Sequence, residues 1–344
     1  MRKIYFFCPS NTNPTGGVKQ IYRQVDNLNR LGYLAVLLLK KRSSNKNKWY
    51  STEKIAYNYD IFCKVLSKLG NKKKTLFDSL KRKIRRIKDT VVEKDGIIVM
   101  PEIYGSQIHK SLEGRKYVIF NQNCYYTFQH YNFRYSVDNP YLSKDCLGVI
   151  VASDDAYKYL RYVFPGINIQ KITLGIDKTN FYYSENKAKK ICYMPRKLKE
   201  DSEQVILILK AKSLIEGWEL CALDNMSEEE VARNLREAVL FLSFNHREGF
   251  GLPPVEAMAC GCYVIGYKGQ AGREYFNTEF SEPVADGDII QFVQSIERAI
   301  QDYDRCPSEI LNKGKRASEY VLEKYSMENE FETTKKAWEN LLVP

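Results

Sequence analysis

Apolar residues along the chain fall into short runs separated by polar stretches with helical spacing. Residues 2–8 predict a strand, and a polar turn follows, Asn11-Thr12-Asn13-Pro14-Thr15-Gly16-Gly17. Val18, Ile21, Val25 and Leu28 then recur at helical intervals, and the pattern stops near Leu31-Gly32. Tyr33 to Leu39 is a second apolar run, so the first forty residues predict a βαβ unit. Residues 97–100, 117–120 and 148–152 are continuous apolar runs, the pattern of strands buried on both faces. Residues 40–60 are polar and basic and predict a loop.

The second half repeats this rhythm. Ile191 to Met194 predicts a strand, Glu203 to Lys212 a helix and Trp218 to Leu223 a strand. Ser227 followed by Glu228, Glu229 and Glu230 predicts a helix start, with acids placed where the helix dipole favours them. Val239 to Phe244 and Cys262 to Tyr267 predict further strands. No short-period repeat is present. The expected fold class is α/β, with two Rossmann-like doubly wound domains facing a central cleft and ligands at the carboxyl ends of the strands. The expected division is an acceptor-binding domain over 1–175, a donor-binding domain over 176–326, and a terminal helix over 327–344 that packs back on the first domain.

Composition narrows the class. The chain has 344 residues, 44% hydrophobic and 28% charged, which excludes a disordered or collagen-like protein. The longest clean apolar run, Leu34 to Leu39, is too short to span a bilayer. The first residues read as a strand and turn and lack the long apolar region and small-residue cleavage site of a signal peptide. Nine cysteines, an odd number scattered along the chain, argue against a secreted disulfide framework. A cytoplasmic location follows as an expectation.

Charge is uneven. The net charge of +11 divides into +18 for residues 1–175 and −7 for 176–344. Residues 72–88 carry nine basic side chains and one acid, and Leu76, Leu80, Ile84, Ile87 and Val91 would share one helix face. Such a helix can lie on an anionic membrane, or it can pack on its own domain with a solvated basic face. Without a zinc-finger or RNA-binding motif beside it, nucleic acid is not the expected partner.

The densest chemistry lies between Phe244 and Gly261, in the string Phe-Asn-His-Arg-Glu-Gly-Phe-Gly-Leu-Pro-Pro-Val-Glu-Ala-Met-Ala-Cys-Gly. A strand ends near Phe244, a glycine-bearing loop follows, and prolines open a helix that Gly261 closes. Backbone N–H groups at such a helix start favour an anion. Glu248 and Glu256 could each take hydroxyl groups of a sugar or ribose. Alternatively, Glu248 is a surface loop residue and Glu256 only complements the helix dipole.

This string resembles the E-x7-E motif of the family 4 glycosyltransferases, retaining enzymes of the GT-B fold. Gly16-Gly17 is similar to that family's N-terminal glycine loop, and Lys171 to Asp177 to its interdomain segment. Ile191 to Lys197 resembles the opening strand of the donor domain, and Gly269 to Glu274 the glycine-rich turn after the motif. The resemblance implies that Glu256 binds the nucleotide ribose and that Glu248 contacts the donor sugar at the reacting centre. It implies that Arg196 and a lysine, Lys197 or Lys199, neutralise the diphosphate leaving group. Main-chain groups over Gly249, Phe250, Gly251 and Leu252 would hold donor oxygens, and Gly16 and Gly17 would close on the diphosphate. No metal or other cofactor is implied. The implied partners are a nucleotide-diphosphate sugar and a glycan or lipid-linked acceptor; the basic stretch 72–88 adds an anionic surface, the inner face of the cell membrane, as an expected contact. The family's usual Lys-Gly pair is absent, and Asn121-Gln122-Asn123 stands where a histidine is common.

Weaker signals have plainer readings. Asp286-Gly287-Asp288 matches a metal-binding DxD pattern but directly precedes an amphipathic helix, where a turn and N-cap suffice. Cys260 and Cys262 read as small buried residues. His246 adjoins the motif and reads equally as a ligand contact or a loop histidine. The alternatives to an enzyme are a sugar-nucleotide-binding scaffold without catalysis and a basic nucleic-acid binder.

Overall fold

The computed structural model describes residues 2–9, 15–41, 52–69, 90–131 and 139–343. It divides into two compact units, Met1–Thr173 with Phe331–Pro344, and Leu174–Glu330. The predicted basic helix over 72–88 and the turn residues 11–14 lie outside the described residues.

The first unit is built on seven parallel strands: β1 (Ile4–Phe7), β2 (Ala35–Leu39), β3 (Ile55–Tyr57), β4 (Ile97–Pro101), β5 (Tyr117–Asn121), β6 (Cys146–Val151) and β7 (Ile169–Lys171). Their order is β3-β2-β1-β4-β5-β6-β7. The chain runs outward from β1 to one edge and then from β4 to the other, so strand order reverses between β1 and β4. β4 and β5 are buried along their whole length, as their continuous apolar runs require. Between the strands lie α1 (Gly16–Arg30), α2 (Tyr59–Leu69), α3 (Ile108–Leu112) and α4 (Asp154–Val163). The stretch 40–60, expected to be a loop, instead contains β3 and the start of α2. β3 has only three residues and alternating partial burial, too short a run to register as a period. Its pairing with β2, Leu37 opposite Ile55, makes it a strand.

The second unit has five parallel strands: β8 (Ala188–Tyr193), β9 (Glu219–Ala222), β10 (Ala238–Ser243), β11 (Tyr263–Tyr267) and β12 (Ser281–Val284). Their order is β12-β11-β10-β8-β9, which reverses between β8 and β10. The helices are α5 (Lys199–Ala211), α6 (Glu228–Glu237), α7 (Leu252–Ala259), α8 (Ile289–Arg305) and α9 (Pro307–Lys324). Ser227 and Glu230 form a capping box at the start of α6, as the Ser-Glu-Glu-Glu string anticipates. Asp288 caps α8 by accepting from the Gln291 N–H at 2.9 Å. Phe244, Tyr267 and Phe292 pack together in the core, Phe244 and Phe292 stacked at 4.6 Å.

The last helix, α10 (Met327–Leu342), starts in the second unit and belongs to the first from Phe331 onward. Trp338 is fully buried there, 6.1 Å from the Phe6 ring, and Gln24 donates to Thr334 Oγ1 at 3.1 Å. The chain passes between the units at Thr173–Leu174, two residues before the expected boundary, and again at Glu330–Phe331. Among the described residues no helix is long and apolar enough to cross a membrane, and all nine cysteines are unpaired.

α7 ends at Gly261 in a Schellman motif, with Gly261 N–H bonded to Met258 O at 2.8 Å and Cys262 N–H to Ala257 O at 3.0 Å. α9 crosses this helix end at Gly314, where a side chain would collide with the Gly261 carbonyl, a main-chain atom that cannot yield. Gly314→Ala is therefore expected to cost about 1–3 kcal/mol, read as a lower midpoint in urea denaturation.

Candidate active site

In an open parallel sheet, ligands bind outside the carboxyl ends of the strands where strand order reverses. In the second unit that place lies beyond β8 and β10. Their pairing, Leu242 opposite Tyr193, sets the loop after β8 beside the loop after β10. The first loop carries Arg196 and Lys197, and the second carries Glu248.

Lys197 Nζ pairs with Glu248 Oε1, and the Asn245 side-chain amide donates to the same oxygen. Asn245 is itself fixed by its loop, since its Oδ1 accepts from the Arg247 N–H at 3.2 Å. The Glu248 carboxylate is thus gripped from two sides and is only 23% exposed, while the lysine that reaches it is 56% exposed. Arg196 turns the other way. Its Nε lies 3.1 Å from Asp224 Oδ1, just beyond β9. Lys199 opens α5 and bridges Glu203 along the helix surface at 3.4 Å. Of the three basic residues considered, Lys197 is the one placed on the glutamate.

Gly251 stands at the cap position of α7 with φ 91°, in the left-handed region. A methyl group there would also meet the Tyr275 hydroxyl at 2.5 Å. No side chain caps this helix. Pro253 and Pro254 have no N–H, so Gly251 and Leu252 supply the donors at its start. The Phe250 ring is buried between Tyr275 and Tyr325, with centroids at 5.6 and 5.1 Å. The Phe250 carbonyl accepts from the Tyr275 hydroxyl at 3.0 Å. Phe250 therefore anchors the loop by its ring. Gly249 is buried beside it. Burial first, and the Glu248 charge second, hold the Tyr275 phenol well above its ordinary pKa, so it remains a donor. Glu256 is the fifth residue of α7 and is partly buried.

Sequence reasoning missed Asn245 and Tyr275. Asn245 had a local signal, an asparagine directly after a strand. Tyr275 had none, because it reaches Phe250 across twenty-five positions of chain.

Gly16 and Gly17 lie in the first unit, exposed, at the reversal between β1 and β4. They are the first two residues of α1, and Thr15 is its cap, accepting from the Val18 N–H at 3.3 Å. The expected turn is thus already helix at Gly16. The Gln122 amide donates to the Gly17 carbonyl at 3.1 Å.

The DxD pattern is a turn. Asp288 caps α8, and Asp286 Oδ1 accepts from the Gly269 N–H at 3.2 Å. Cys260 and Cys262 are buried, and Cys262 donates to Leu235 O at 3.1 Å. Among the described residues no three His, Cys, Asp or Glu side chains gather as a metal site. The His246 ring packs 6.5 Å from Tyr267, with its Nδ1 buried and without a hydrogen-bond partner.

Residues 200–319 match the family described as glycosyl transferases group 1. That span lies wholly within the second unit, Leu174–Glu330. The matched span includes Glu248 and Glu256 and begins just after Arg196, Lys197 and Lys199. An alpha-1,6-glucosyltransferase of Actinobacillus pleuropneumoniae serotype 7 (strain AP76) is 36% identical over 84 residues. That match takes in 24% of this chain and about a quarter, 26%, of the relative. The sucrose-phosphate synthase of Thermosynechococcus elongatus superposes with a TM-score of 0.69 at 15% identity, covering 99% of both chains. HepE of Anabaena, solved with UDP and glucose, gives a TM-score of 0.64 at 12% identity, again over 99% of each chain. The chain has the GT-B fold, with two Rossmann-like α/β units.

The Lys197–Glu248 pair is too exposed on the lysine side to contribute much to folding. Lys197→Ala is expected to change unfolding free energy by less than ~1 kcal/mol. Gly251→Ala, which adds both strain and a collision, is expected to cost ~1–3 kcal/mol. Urea denaturation of the two variants measures both effects.

Proposed function

We propose that this chain is a retaining, metal-independent glycosyltransferase of family 4. It transfers a sugar from a nucleotide-diphosphate donor to a glycan or lipid-linked acceptor in the assembly of bacterial surface polysaccharide or glycolipid. The observation that carries the reading is the Lys197–Glu248–Asn245 knot at the reversal point of the second sheet, beside the open helix start at Gly251 and Leu252. The name of the matched glucosyltransferase and the UDP and glucose in HepE support the same class of donor.

In this reading the second unit takes the donor. Glu256 takes the ribose hydroxyls, and the Gly251 and Leu252 N–H groups take donor sugar or phosphate oxygens. Negative charge grows on the diphosphate as the glycosidic bond breaks, and fixed cations stabilise it best where water is excluded. Arg196 and Lys197 are those cations. An exposed ammonium on a flexible stem can leave one carboxylate for a diphosphate of higher charge. Lys197 then passes from Glu248 to the leaving group, and Glu248, still held by Asn245, is freed toward the donor sugar. The donor phosphate itself assists deprotonation of the incoming hydroxyl.

Glu248→Ala and Arg196→Ala are each expected to lower sugar transfer by about a hundredfold or more, with the folded state intact by circular dichroism. Full activity in either variant would remove that residue from the mechanism. A thermal-shift screen with UDP, GDP, dTDP and their sugars identifies the donor, since a ligand that binds only the folded chain raises its melting temperature. Binding without turnover across acceptors would favour the non-catalytic scaffold instead.

The proposed location is cytoplasmic and peripheral, on the inner face of the membrane, through residues 72–88. Neutralising Arg82, Lys83, Arg85 and Arg86 together is expected to weaken flotation with anionic vesicles, most clearly at low salt. Unchanged flotation would remove the membrane contact and leave the enzyme reading in place.

A further inference from the structure

The first unit has its own reversal point, between β1 and β4, and a buried carboxyl group sits there that the proposed chemistry does not use. Glu102 follows directly on β4 and is 4% exposed. Its Oε1 accepts from the Asn123 main-chain N–H at 3.0 Å, and its Oε2 has no hydrogen-bond partner. Asn123 ends the strand-exit triplet Asn121-Gln122-Asn123. The Asn121 amide donates to Thr127 Oγ1 at 2.9 Å and to the Tyr141 hydroxyl at 2.8 Å, and its own Oδ1 has no partner. Asn121, Thr127 and Tyr141 are all buried.

A polar cluster this deep, with two acceptors left without donors, is a poor way to gain stability. It does fix the main chain at the tip of β5. The residue between the two anchored asparagines is Gln122, whose side chain is partly exposed and donates to the Gly17 carbonyl. A Cβ on Gly17 would lie 3.4 Å from the Gln122 Oε1, so the amide rests directly on the glycine.

We infer that Glu102 is a positioning residue for the ligand end of the first unit: its buried carboxyl group holds the Gln122–Asn123 main chain and thereby sets the Gln122 side chain against Gly17. The inference rests on the nucleotide-sugar reading for its effect on turnover. Burial outweighs the hydrogen bonds in setting this group's titration, so the turn is held best with Glu102 neutral and loosens as it ionises.

The proton comes off near neutrality. Burial pushes the Glu102 carboxyl up to about 7, against main-chain hydrogen bonds that lower it. The elements packed on its turn carry Asp60, Cys63 and Lys64 on α2, His109 and Lys110 on α3, and Cys124 and Tyr141 beyond β5. Lys64 is paired with Asp60 at 3.2 Å and with Glu113 at 2.7 Å. Cys124 and Tyr141 feel the Glu102 charge, and burial raises both, Cys124 to about 12. Neither ionises in the range where Glu102 does. Because the folded state holds this proton to higher pH than the unfolded chain, the stability contribution is full below about 4.5 and is lost as pH rises through about 7.

The test compares wild type, Glu102→Gln and Gln122→Ala as full chains between pH 5.5 and 8.5. With UDP-glucose as probe, UDP release by wild type is expected to show kcat/KM falling severalfold through pH 7. Glu102→Gln, locked in the neutral form, should stay near the low-pH value throughout. Gln122→Ala alters a partly exposed side chain and should raise KM with little change in kcat or melting temperature. Amide exchange over residues 117–128 reads the turn without turnover: protection in wild type should fall as pH rises through 7 and stay flat in Glu102→Gln. A wild-type pH profile in Glu102→Gln, or an unchanged KM in Gln122→Ala, would overturn the inference. No UDP release by any form would count against UDP-glucose as the donor, and the exchange data would still decide whether Glu102 holds the turn.

Discussion

The parallel pairing of β8 with β10 is the constraint on which the candidate site depends. These strands are far apart in sequence, with α5, β9 and α6 between them, yet β9 is placed on the far side of β8. That reversal leaves the carboxyl ends of β8 and β10 adjacent with no crossover above them. A lysine four residues past the end of one strand can then meet a glutamate on the loop past the other. Any other strand order would put these side chains at separate places along the sheet edge.

Main-chain clamps hold the glutamate loop in shape. Tyr275 fixes the Phe250 carbonyl, and the Phe250 ring is enclosed by Tyr275 and Tyr325. Gly251 takes the left-handed conformation that turns the chain into α7. Behind it, Gly261 closes the helix and receives α9 at Gly314. The loop and helix are therefore supported at both ends by packed structure, which is how a site gains definite geometry before any ligand arrives. The first unit uses a comparable arrangement at its own reversal point, where buried polar side chains rather than aromatic rings fix the strand exit.

Much of this was legible in the sequence because it is local. A continuous apolar run marks a buried strand whatever surrounds it, and β1, β4, β5, β6, β8, β10 and β11 were all visible this way. Ser227 with Glu230, Asp288 before α8 and Gly261 after α7 announce helix ends through bonds that span only a few residues. The glutamate string and its resemblance to a transferase family were equally plain. β3 was not visible, because three residues carry no period and only the neighbouring β2 makes them a strand.

The sequence by itself determined the two α/β repeats, the helix that opens after the Glu248 loop and the candidate residues on it. It left open which of Lys197 and Lys199 works with Arg196, and it assigned nothing to Asn245, Tyr275, Glu102 or Gln122. Tertiary structure decided where the cations go: Lys197 onto Glu248, Arg196 onto Asp224, and Lys199 along its own helix. The physical reason is reach. A cap or a turn closes within a few residues, so its partners can be read in the chain, whereas a carboxylate and a cation fifty-one residues apart meet only after strand order has brought their loops together.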